Sequence, residues 1–134
     1  MFIEAVISFV LFFTTALAIL AIFLVLYWVV TPYNDFKLIF QDKNTAAAIG
    51  FGGAILGLCI PLYSALISSV SYVDFLLWAV IAVLIQLLFA LIVTRAGGKY
   101  SLEKPISDDV VPAGIFMAFI SISIGLLNAG SMSY

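Results

Sequence analysis

The chain has 134 residues, 66% of them hydrophobic and 9% charged, with a formal net charge of -2 and a mean hydropathy of +1.31. A soluble domain of this size leaves much of its chain facing water and could not hide so much apolar surface, so the expected solvent is lipid, and the length leaves no room for a separate soluble module. The small, dispersed charge excludes nucleic acid and a polybasic lipid-binding surface; a single cysteine, Cys59, and no histidine leave no internal disulfide, metal cluster or nucleophile–base pair, so no cofactor is expected.

The first apolar run covers about 5–30, more than the roughly 20 residues that span hydrocarbon. Glu4 stands where a cleavable signal peptide would carry Lys or Arg. The run also outlasts a signal h-region, so it reads as a retained membrane helix despite the Ala16-Leu17-Ala18 triplet that resembles a cleavage site. Pro32 ends it. In the link that follows, Phe36, Ile39 and Phe40 recur at helical spacing and predict a short amphipathic turn on the membrane surface.

A second run, about 45–67, starts where Asn44 or Thr45 can cap a helix. After a tight serine-rich turn at 68–72, Ser71 and Asp74 fit a capping box for a third run, about 74–94. The link 95–109 carries Gly97-Gly98 and Pro105, and Asp108 or Asp109 is the predicted cap of a fourth run, about 110–131. Strands are excluded, because backbone groups in lipid must pair within their own segment unless a barrel closes, and four segments cannot close one. The predicted fold is all-α, an integral membrane protein of four transmembrane helices in one domain covering 1–134.

All five basic residues, Lys37, Lys43, Arg95, Lys99 and Lys104, fall in the first and third links. The positive-inside rule makes those links cytoplasmic and puts both termini on the outer, periplasmic side. Tyr27, Trp28 and Tyr33 would form the inner aromatic belt, and Tyr63, Tyr72 and Tyr134 the outer one.

Sliding the chain against itself by 64 positions lays the first span on the third and the second on the fourth without a gap. Gly50 then meets Gly114, Ala54 meets Ala118, Gly57 meets Ser121 and Ser64 meets Asn128. This predicts two parallel two-helix repeats, about 1–66 and 67–134, related by an axis along the membrane normal. Along the second span Ala46, Gly50, Gly53, Gly57, Pro61 and Ser64 share one helix face, and the fourth repeats it with Gly114, Ala118, Ser121, Gly125 and Asn128. Such faces let backbones approach and gain dispersion contacts in lipid, so these two spans are expected to pack closely, within one subunit or across an oligomer.

Several segments form a pattern in order and spacing: Thr31-Pro32-Tyr33-Asn34-Asp35, Asn44-Thr45-Ala46-Ala47-Ala48, Gly57-Leu58 to Pro61-Leu62, Asp74-Phe75-Leu76-Leu77-Trp78, Gln86-Leu87-Leu88 and Gly125-Leu126-Leu127-Asn128-Ala129. Over essentially its whole length the chain resembles the YjfL-like bacterial inner-membrane proteins, domain of unknown function 350. The resemblance implies a four-span inner-membrane protein, sometimes linked through gene neighbourhood to envelope-stress systems, with no established reaction. One departure is the start of the fourth span, Asp108-Asp109-Val110-Val111-Pro112-Ala113, where an Asn-x-Ala-Ala-Ala copy of the second span's start would be expected.

The polar residues inside the spans admit two readings. Gln86, near the middle of the third span, is either interhelical glue or a pathway group. Ser64 and Asn128 could line a polar vestibule or bond between helices. Pro61 removes the N–H that would bond the Gly57 carbonyl, which either kinks the helix or exposes backbone to an ion. Asp74 reads as a cap and Glu4 as an interfacial acid, so no titratable group is expected at the midplane. The function that follows is a small non-enzymatic membrane protein, a self-associating scaffold, anchor or envelope-stress accessory whose partners are the lipid bilayer and further copies or other membrane subunits. The alternative is a channel or small transporter along the interface of the second and fourth spans.

Overall fold

The computed structural model describes residues 1–133, so the aromatic-belt role expected of Tyr134 lies outside the described residues. Among them the regular structure is entirely helical: α1 (Phe2–Val30), α2 (Asp35–Phe40), α3 (Thr45–Ser68), α4 (Tyr72–Arg95), α5 (Glu103–Ser107) and α6 (Val111–Ser131). α1, α3, α4 and α6 are long and apolar enough to cross a membrane.

Local chemistry sets most boundaries. Pro32 cannot extend α1, whose last turn closes with the Thr31 N–H on the Tyr27 carbonyl at 2.9 Å. Asn34 caps α2 and Asn44 caps α3, each side-chain oxygen accepting from the N–H three residues on. Ser71 caps α4 by accepting from the Asp74 N–H, but the Asp74 carboxylate accepts from the N–H of Val70, one residue further back than a capping box requires. After α4 the chain turns on Gly97 and Gly98, both at positive φ, which only glycine adopts without steric cost.

The expected cap of the fourth span is corrected. Neither Asp108 nor Asp109 caps α6, whose N-cap is Val110 with no side-chain bond. Pro112 in the first turn has no N–H to satisfy, which lowers the need for a cap. Asp109, held at φ 57°, instead accepts from the Ala46 N–H at 2.9 Å and so caps α3 from across the bundle. Asp108 pairs with Lys104 at the surface.

α3 is the centre of the bundle, packed along α6 and flanked by α4, α1 and α2. At the end carrying α2, the rings of Phe23, Tyr27, Phe51, Phe36 and Trp28 form a chain of contacts 5.0–5.9 Å between centroids. α2 is thus more than a surface turn: Phe36 and Ile39 pack on the core, while Phe40 is exposed. At the opposite end Phe12 packs on Tyr72 and Phe75, and Thr15 and Tyr72 share a hydrogen bond of 2.8 Å. The two basic links lie at one end of the bundle, tied by Asn44 Nδ2 donating to the Ile106 carbonyl at 2.7 Å.

Candidate functional site: a sealed helix seam and a buried carboxyl

Two places concentrate polar chemistry inside the molecule. The first is the seam between α3 and α6, which run in the same direction. Ala46 meets Gly114, Gly50 meets Met117, Gly53 meets Ala118 and Gly57 meets both Ser121 and Gly125. The approach is backbone to backbone. A Cβ on Gly53 would lie 2.3 Å from Ala118 Cα, one on Gly57 2.4 Å from the Ser121 carbonyl oxygen, and one on Gly114 2.3 Å from the Ala46 carbonyl oxygen. At those levels there is no width for a file of water between the helices.

Pro61 is buried within α3, and its missing N–H is the one that would bond the Gly57 carbonyl. That oxygen faces Gly125, where an added Cβ would come within 2.1 Å of it. The Cα–H of Gly125 therefore supplies the weak donor that the helix cannot. Gln86 of α4 is buried against the same crossing, its Nε2 donating to the Ser121 carbonyl at 3.2 Å, while its Oε1 has no hydrogen-bond partner. Asn128 Nδ2 donates to the Ala82 carbonyl on α4 at 3.4 Å. Ser64 sits half-buried on α3. Gly50, Gly53, Gly57, Pro61, Gln86, Gly114, Ala118 and Gly125 thus come together in one subunit, with Asn128 further along at the α4–α6 contact.

The second place is the turn between α1 and α2. Asp35, the first residue of α2, is 1% exposed. Its Oδ2 lies 2.5 Å from Thr31 Oγ1. Beside it the Tyr27 and Tyr33 hydroxyls both donate to Met117 Sδ at 3.6 Å. Burial pushes the Asp35 carboxyl up from 3.8 to about 7, against the partial relief of the Thr31 hydroxyl and its own backbone N–H. Burial, then the Asp35 charge, raises the Tyr33 phenol above its ordinary value. No metal-binding cluster of acidic or sulfur side chains occurs among the described residues.

Sequence reasoning quotes Thr31-Pro32-Tyr33-Asn34-Asp35 but gives Asp35 no role. The available signal was an acid in an aromatic-rich turn at a span boundary, four residues after a threonine. α2 packs on α3, a contact that sequence spacing does not reveal.

No solved structure matches the chain. The chain is 36% identical over 134 residues to the inner membrane protein YjfL of Escherichia coli strain K12, covering 98% of this chain and 97% of that one. The YjfL protein of Escherichia coli O157:H7 matches to the same extent. The family described as Domain of Unknown Function (DUF350) matches residues 1–132, the whole of the bundle, and the chain belongs to that family.

Proposed function

We propose that the protein is a non-enzymatic inner-membrane subunit that acts by assembly, a scaffold or anchor, and that it carries no solute along the α3–α6 interface. The observation that supports this reading is the backbone contact at Gly53, Gly57, Gly114 and Gly125. Small-residue faces spent on each other leave a dispersion-packed seam, and the Gln86 and Asn128 amides are used to bind neighbouring carbonyls. A pair of parallel two-helix repeats, with both termini periplasmic and the two basic links cytoplasmic, is the arrangement we assign to it. The parallel course of α3 and α6 supports that assignment.

With the seam filled from within, the surfaces left for a second copy are the lipid-facing sides of the outer helices, above all α1, where Phe9, Val10 and Phe13 are exposed. Val10→Cys in a Cys59→Ser background is expected to cross-link to a second copy in native membranes. In proteoliposomes, potassium, sodium and proton leak are expected to equal those of protein-free vesicles. Flux above that level, abolished by Gly57→Val, would overturn the reading.

A further inference from the structure

We infer that Asp35 is a proton-binding site, and that loss of its proton to water releases α2 from the end of the bundle. Thr31 Oγ1 lies 2.5 Å from Asp35 Oδ2, 3.0 Å from the Tyr27 carbonyl oxygen and 3.3 Å from those of Trp28 and Tyr33. One hydroxyl hydrogen faces four acceptors. If the carboxyl is ionised, the hydroxyl can serve it alone, and the Tyr27 carbonyl loses the Thr31 hydroxyl as a donor. If it is protonated, Asp35 Oδ2–H donates to Thr31 Oγ1 and the Thr31 hydrogen goes on to the Tyr27 carbonyl, so both short contacts are made with one hydrogen each.

The charges around the carboxyl argue the same way. α1 presents Tyr27 and the turn presents Tyr33, whose hydroxyls donate to Met117 Sδ rather than to the carboxylate. α5 contributes Glu103, which acts on Tyr33 with the sign of a second anion. On α2, Lys37 turns outward to Asp42 at 3.5 Å. Arg95 of α4 spends its Nε on the Val30 carbonyl at 2.8 Å. None of these cations bonds to the carboxylate, and a buried anion without a cation must recruit water. Asp35 opens α2, and the next residue, Phe36, is wedged between Trp28 and Phe51 at 5.6 and 5.5 Å. Lifting that wedge is the opening through which water is inferred to reach the carboxylate. On opening, the carboxylic acid transfers its proton to water, giving carboxylate and hydronium, and the Thr31 hydroxyl swings from the Tyr27 carbonyl to Asp35.

The test uses the full chain in lipid vesicles, with infrared difference spectra between about pH 5 and about pH 9 and, in a Trp78→Phe background, the emission of Trp28. A protonated-carboxyl C=O band that titrates near neutrality, together with a red shift of Trp28 over the same range, is expected. Both changes should vanish in Asp35→Asn, with Trp28 fixed in its low-pH state. Thr31→Val removes the hydroxyl that both states of the carboxyl use and is expected to shift the midpoint by about one pH unit. Absence of the carboxyl band, or an unchanged Trp28 titration in Asp35→Asn, overturns the inference. Should Asp35→Asn fail to fold, an unmoved midpoint in Thr31→Val does so instead.

Discussion

α1 and α3 are both long apolar helices, yet they meet their surroundings in opposite ways. In α3, 56% of the most apolar stretch is buried in the bundle, against 11% in α1. α1 is the more apolar of the two and contains no glycine, being built mostly from Phe, Leu, Ile, Val and Ala. In water the more apolar helix would occupy the centre. In lipid, acyl chains cover a leucine as well as another helix does, so the central place goes to the helix whose small side chains permit backbone contact. Hydrophobicity puts a helix in the membrane; the distribution of small residues decides where in the bundle it sits.

Giving α3 the bulk of α1 has the largest expected effect. Gly53→Leu puts side chain where Ala118 backbone already is, and is expected to cost about 3 kcal/mol or more, read from unfolding in mixed micelles. Changing the α2 turn instead of the seam tests whether burial at that end carries a cost of its own. The Asp35 carboxyl is raised in the folded state, so the fold binds its proton more tightly than the unfolded chain. Stability from this group is therefore full below the unfolded value of 3.8 and is lost as pH rises toward about 7. Asp35→Asn should remove that slope and raise stability above neutrality by about 1–2 kcal/mol, measured as unfolding midpoints across pH.

Asp109→Ala should cost about 1 kcal/mol by leaving the Ala46 N–H of α3 without its cap, and an α6-only probe should not sense it first. Gln86→Met exchanges one bond to the Ser121 carbonyl for relief of the unpartnered Oε1, and a net change within about 1 kcal/mol sharpens the view that dispersion, not hydrogen bonding, holds the seam. The smallest effect belongs to α1: Leu17→Ala, at a half-exposed position, is expected to stay within about 0.5 kcal/mol in the same assay.

The four long helices were legible because each is a long apolar run ended by Pro, Gly or an Asx or Ser cap, all local signals. Asn44 and Ser71 act on their own helices and were readable for that reason. Proximity in sequence points Asp109 to the nearer helix and is blind to a backbone N–H 63 positions away. The burial of Asp35 is illegible for a related reason: its immediate neighbours are polar or aromatic, and nothing local marks the packing of α2 on α3. Along the spans themselves, apolar residues on every side erase the periodicity that marks a buried face in water.

The bond from Ala46 to Asp109 has a consequence for biogenesis. Synthesis delivers α3 to the bilayer before Asp109 and α6 exist, so the nascent chain holds a helix start short of one acceptor and a glycine stripe with nothing against it. Only when the final span is threaded in are both satisfied together.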